Sequence, residues 1–178
     1  SGWDPARKLI QEGIEQGFKR DVVGGAFRSS LREGKVVQAL GSGTFADTVL
    51  METQFGGKTI RYARKTISPH EASILQKLEG APAAPSFYMK EGDSLFMEAM
   101  PGDTLYKQTS KRSFSARHQV PEEAMAELTD TARVAAERGI VNLDILGLNV
   151  MFDPKSGHAS WLDWGGARMS KRTPRLNE

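Results

Sequence analysis

The 178-residue chain has no cysteine. That excludes disulfide staples, thiolate catalysis and cysteine-ligated zinc, and it fits a reducing compartment. Histidine is scarce too: the three present are dispersed, so a histidine-built zinc site is not expected. No apolar run approaches membrane-spanning length, and the stretch from Trp3 to Phe18, with its scattered charges, does not read as a secretory signal peptide. Net charge is low as well. At +2, and without an aromatic-rich basic motif, the chain carries no signature of nucleic-acid binding. What is present is 39% hydrophobic and 26% charged, the composition of a globular protein. The length suits one domain with a proper core, or two small lobes sharing a cleft.

Taken in order, Pro5 to Lys19 shows apolar residues at helical spacing (Leu9, Ile10, Ile14, Phe18), with Asp4 as N-cap and Pro5 at the first helical position. Gly24-Gly25 is expected to break the chain after it. From Lys35 the pattern turns to β. KVVQAL, DTVLMET and TIRYARKTI, separated by glycine-bearing turns, predict an antiparallel meander. A helix is expected over the run ASILQKLEG, ended by Gly80, and a further hairpin over SFYMKEG and DSLFMEAM. Tyr106 to Gln119 is basic and rich in Ser and Thr, which reads as solvated surface. After it Pro121, Glu122 and Glu123 open a helix with Met125, Leu128, Ala132 and Ala135 at helical spacing, stopped by Gly139. This helix is expected to back the segment that follows.

That segment, Gly139 to Arg168, carries the chemistry. Ile140 to Leu143 is strand-like, a loop holds Asp144 and Asn149, and two β runs, VMFD and HASWLD, are joined by Pro-Lys-Ser-Gly, a hairpin signal. If Asp153 pairs with His158, antiparallel counting brings Asn149 beside Leu162, and a slip of one residue puts it opposite Asp163. An amide oxygen and a carboxylate at one end of a hairpin suit Mg²⁺, which takes hard oxygen ligands and completes its shell with water and phosphate. The plainer alternative is that Asp144 and Asn149 cap turns and Asp163 ends a strand.

The pattern D-x-x-x-x-N from Asp144 to Asn149, followed by Asp163-Trp164-Gly165, resembles the catalytic loop and metal-binding triplet of protein kinases, with Trp164 where the family usually has Phe. The resemblance implies that Asp144 is the catalytic base and that Asn149 and Asp163 bind Mg²⁺. Gly41-Ser42-Gly43-Thr44 resembles the glycine-rich loop over ATP phosphates, although Ala46 stands at the third glycine position and Val49 comes one residue late; a plain hairpin turn is the rival reading. Tyr62-Ala63-Arg64-Lys65 is similar to the kinase V-A-x-K element. Period-two geometry puts Ala63 and Lys65 on one face, and the resemblance implies Ala63 against adenine and Lys65 toward the α- and β-phosphates; an exposed lysine on an edge strand is the rival reading. Glu71 has two readings: partner of Lys65, as on the kinase C-helix, or the reciprocal half of a capping box with Ser68. Phe96 to Gly102 resembles the hinge, with the Glu98 carbonyl and the Met100 backbone on the adenine edge and Met97 behind it; Met97 and Met100 read equally as core.

Departures from the family pattern are informative. Asn142-Leu143-Asp144 replaces His-Arg-Asp, so the arginine that would hold a phosphorylated activation loop is missing. Leu146 stands where a lysine usually meets the γ-phosphate, and only ten residues follow Arg168. The expectation is an α+β, reduced bilobal kinase-like fold: a helical extension over 1–33, an antiparallel N-lobe over 34–100 and a truncated helical C-lobe over 101–178. Such shortened forms resemble kinases injected by bacterial type III secretion systems, most closely the HopBF family. That resemblance implies an ATP- and Mg-dependent serine/threonine kinase acting in the host cytoplasm on a host protein, the ninety-kilodalton heat-shock chaperone. A small-molecule phosphotransferase and a nucleotide-binding pseudokinase are the alternatives.

Overall fold

The computed structural model describes residues 1–40, 48–66, 69–101, 103–104, 121–141, 150–161, 164 and 167–170. Within them the chain is α+β, with four helices and a five-stranded antiparallel sheet as its largest element. Its contacts divide it into two compact units. One comprises Trp3–Ile67 with Phe87–Ala99; the other comprises Ser1–Gly2, Ser68–Ser86 and Met100–Glu178.

The first unit opens with α1 (Pro5–Glu15), capped as expected by the Asp4 carboxylate, which accepts from the Ala6 N–H at 2.9 Å. The helix stops four residues before the expected Lys19. Gly17 takes a left-handed φ of 101°, so the Phe18 N–H reaches back to the Gly13 carbonyl and the Gly17 N–H to that of Ile14, a Schellman stop. Conversely, Gly24-Gly25 does not break the chain. Both glycines lie inside α2 (Arg20–Arg32). Val23, Phe27 and Leu31 recur every fourth residue along one buried face, and burying such side chains contributes about 1.5–3 kcal/mol each, against about 1 kcal/mol lost per helical glycine.

The expected meander is present as β1 (Lys35–Ala39), β2 (Thr48–Phe55) and β3 (Lys58–Thr66), followed by the expected hairpin of β4 (Phe87–Glu91) and β5 (Ser94–Glu98). The order across the sheet is β1-β2-β3-β5-β4, which makes β3 the central strand. Gly56 and Gly57, both at positive φ, form the two-residue turn that sets the β2–β3 register, Phe55 opposite Lys58 and Thr48 opposite Lys65.

α1 and α2 pack into the core of this unit. Ala6, Phe27 and Leu31 pack with Met51, Ile60, Tyr62, Met89 and Phe96 of the sheet. Phe27 meets Phe55 and Tyr88 edge to face, at 5.2 and 5.0 Å between centroids, and Tyr62 stacks on Phe96 at 6.0 Å. Sheet hydroxyls satisfy the last carbonyls of α2: Thr53 Oγ1 donates to Ser30 at 2.6 Å, and the Tyr62 hydroxyl donates to Leu31.

In the second unit, α3 (Pro69–Lys77) ends where expected, before Gly80 at φ 85°. Arg138 donates to the carbonyls of Lys77 and Glu79 at 2.6 and 2.8 Å, a cation at the negative end of the helix. A two-residue strand, β6 (Asp103–Thr104), pairs with the first strand of the hairpin described below. α4 (Glu122–Glu137) has the expected limits, but its buried face is Ala124, Leu128, Thr131 and Ala135; Met125 is 49% exposed. The polar Thr131 belongs to this face because its hydroxyl is fully used, donating to the Glu127 carbonyl at 2.8 Å and accepting from the Ala83 N–H at 2.7 Å. The short strand β7 (Ile140–Val141) follows Gly139 and pairs with β10 (Arg168–Met169). Between them in sequence lies the hairpin of β8 (Val150–Asp153) and β9 (His158–Trp161), in the register counted from the sequence: Asp153 faces His158 and Val150 faces Trp161.

α4 backs this hairpin, as expected, through a contact that the sequence did not reveal. The Glu127 carboxylate holds His158 Nδ1 at 2.7 Å with one oxygen and accepts from the Ala159 N–H at 3.2 Å with the other. The Ala81–Ala84 segment completes the packing. The Ala83 carbonyl accepts from the Trp161 N–H at 2.7 Å, so one residue ties α4 to β9.

Candidate functional site

Side chains alternate across a strand, so the registers sort the sheet of the first unit into two faces. Val49, Met51, Tyr62, Arg64, Phe96 and Glu98 share the face covered by α1 and α2. Thr48, Leu50, Ala63, Lys65, Leu95 and Met97 share the other. Three of the expected site residues are thereby brought together. Ala63 lies directly opposite Met97, and Lys65 stands two residues further along the same strand, opposite Leu95.

Ala63 and Met97 are buried and Lys65 is half-buried, so the ammonium sits at the edge of an apolar floor. Glu98 is different. Its buried side chain is on the helix-covered face, opposite Tyr62, where its charge adds to burial and to Asp4 in holding the Tyr88 phenol well above the usual tyrosine range. The expectation for Glu98 concerned its carbonyl, which this does not involve. Val49, noted in the sequence as one residue late, points to the helix-covered face beside Arg64. Thr48 takes the place on the lysine face.

Thr48 is the residue that sequence reading missed. It is 6% exposed and directly opposite Lys65, and its hydroxyl finds no hydrogen-bond partner among the described residues. The signal was available: counting back from the Gly56-Gly57 turn pairs Thr48 with Lys65.

The second unit holds Glu71, in the first turn of α3, 4% exposed. Burial at that level removes it from the class of solvated surface carboxylates. Ser68, the cap in the rival reading, lies outside the described residues. The neighbouring His70 donates from Nε2 to the Ala167 carbonyl, tying α3 to the segment that follows the D-W-G triplet. Trp164 of that triplet is 2% exposed; its Nε1 donates to the Trp161 carbonyl at 3.1 Å and the two rings meet edge to face at 5.7 Å. Met100 follows β5 and is half-buried.

Asp144, Asn149 and Asp163, with Gly41, Ser42, Gly43 and Thr44, lie outside the described residues. What is described is their framework. Val150, next in sequence to Asn149, is paired in β8, and Asp163 comes two residues after the paired Trp161 and directly before the buried Trp164. Among the described residues no group of three or more His, Asp or Glu side chains could hold a metal ion. No helix among the described residues is long and apolar enough to cross a membrane. The chain matches no protein-family model, and a search of curated proteins gives no match.

Proposed function

We propose that the chain is a reduced, kinase-like phosphotransferase that binds ATP and passes its γ-phosphoryl group to a serine or threonine hydroxyl of a protein. The observation that carries this reading is the lysine face of the sheet. A small residue, a methionine and a half-buried ammonium stand side by side on adjacent central strands, an apolar floor with a cation at its end. That residue set suits a nucleotide: a small side chain and a methionine offer apolar contact to a base, and the Lys65 charge suits phosphates. The β8–β9 register supports it further, because Asn149 and Asp163 adjoin the same end of one hairpin in sequence.

On this reading Lys65 offsets phosphate charge, and Asp144 accepts the proton of the attacking hydroxyl. Asn149 and Asp163 would hold Mg²⁺, which supplies charge neutralisation at the phosphates. Phosphoryl transfer asks a protein mainly to position groups and stabilise charge, so a small scaffold suffices. The effector role and the ninety-kilodalton chaperone as substrate rest on the resemblance to the HopBF family.

The test is transfer of label from γ-labelled ATP to protein in a host-cell lysate, with the acceptor found by mass spectrometry. Asp163→Ala should abolish transfer while the protein still folds, with the thermal midpoint unchanged within about 2 °C. Normal turnover in that variant would contradict the assignment. Label arriving from the α position would mean nucleotide transfer instead, and label on a metabolite would mean a small-molecule phosphotransferase.

A further inference from the structure

The nucleotide reading above leaves Thr48 without a role, and this inference rests on that reading. A hydroxyl taken out of water without a partner is destabilising, and native proteins rarely keep one without a use for it. Thr48 keeps one, 6% exposed, on the first described residue of β2 after the glycine-bearing turn. Its neighbours on that face are Lys65 directly opposite on β3, Leu40 on the β1 side, and Leu50 and Ala63 one step along, with Gln38 opposite Leu50. None of these side chains bonds the Thr48 hydroxyl, whose proton is left to donate, and the Lys65 charge directly opposite would draw an anionic acceptor to the same place.

From this we infer that the Thr48 hydroxyl is a second donor to the bound nucleotide, giving its proton to an oxygen of the sugar-phosphate part beside the Lys65 ammonium. Thr48 and Lys65 then act as a pair across one rung of the sheet: charge from β3, a directed neutral donor from β2. A β-branched residue suits the task because its methyl packs on the sheet and its rotamers are few. Valine at this position would match the shape and leave the oxygen without its donor.

The substitution Thr48→Val tests this, since it removes only the hydroxyl. Binding of a fluorescent ATP analogue and of ADP, each with Mg²⁺, is measured by titration, and the unliganded thermal midpoint is measured alongside. The expected result has two parts of opposite sign. Nucleotide affinity falls by about five- to tenfold, the worth of one directed hydrogen bond, while the free protein melts roughly 2–4 °C higher because a buried unpaired hydroxyl is gone. Thr48→Ser, which retains the donor, stays within about twofold of wild type in affinity on the same scale. Should the valine variant misfold, Thr48→Ala against Thr48→Ser makes the same comparison.

Unchanged affinity in Thr48→Val, with wild type binding nucleotide, overturns the inference and leaves the nucleotide reading standing. A lower melting point in the free valine variant overturns it as well, because the hydroxyl would then be satisfied inside the protein. If wild type itself binds neither ATP nor ADP, the nucleotide reading fails and the inference fails with it.

Discussion

Gly34, between α2 and β1, offers the sharpest test of how the first unit is held together. A Cβ built there would lie 1.8 Å from the Tyr62 hydroxyl oxygen and 2.8 Å from Cζ. Ordinary contact starts near 3.4 Å, so the hydroxyl would have to retreat by about 1.6 Å, the difference of those two distances. It has nowhere to go. Tyr62 is fully buried on the central strand, stacked on Phe96, and its hydroxyl donates to the Leu31 carbonyl at the end of α2. Overpacking a tight core costs about 1–3 kcal/mol, and losing that hydrogen bond adds about 1 kcal/mol. Gly34→Ala should therefore destabilise by about 2–4 kcal/mol, lowering the thermal midpoint by roughly 5–15 °C for a chain of this size. Urea unfolding of Gly34→Ala, Tyr62→Phe and the double variant forms the assay. Removing the hydroxyl removes the worst overlap, so the double variant should be more stable than the two single effects predict, by about 1 kcal/mol or more. A Gly34→Ala protein within about 0.5 kcal/mol of wild type, or additive single effects, would refute the reasoning.

Two further predictions follow from the same unit. In α2, a Cβ at Gly25 meets nothing within 4 Å and its φ is not positive, so Gly25→Ala should stabilise by about 0.8–1 kcal/mol, seen as a rise of roughly 2–4 °C in the thermal midpoint. Tyr88 donates to Asp4 at 2.8 Å, and its phenol is held well above the usual tyrosine range by burial first, then by the charges of Asp4 and Glu98. The folded state keeps that proton after the unfolded chain has lost it, so this stabilisation is complete below a pH of about 10 and is lost as the pH climbs toward the folded value. The loss approaches about 1.4 kcal/mol per pH unit, and denaturation from pH 9 upward should show it in wild type and a shallower decline in Tyr88→Phe. Equal slopes in the two proteins would exclude Tyr88 as the source.

Much of the fold was legible along the chain because its signals are local. Asp4-Pro5 opens a helix, Gly56-Gly57 closes a hairpin, and Pro154 to Gly157 sets the Asp153–His158 register, each through backbone preferences of a few neighbouring residues. Gly17 and Gly24-Gly25 show where local reading stops. A glycine ends a helix at Gly17, where the backbone turns left-handed, and two are carried inside α2, where Phe27 and Leu31 have a sheet to bury against. Met125, expected on the apolar face, is exposed and Thr131 is buried for a similar reason: the periodicity of α4 cannot say that Ala83 presents an N–H for a threonine hydroxyl.

The sequence by itself determined the kinds of residue offered for chemistry, Lys65 beside Ala63 and the D-x-x-x-x-N and D-W-G patterns, together with the strand registers that follow from turn length. Only the tertiary structure decided which face of the sheet carries them. α1 and α2 cover the side of Tyr62 and Phe96 and leave Lys65, Ala63, Met97 and the unpaired Thr48 hydroxyl together on the other. Alternation along a strand is a property of two or three adjacent residues, whereas the choice of buried face depends on apolar surface arriving from elements dozens of positions away.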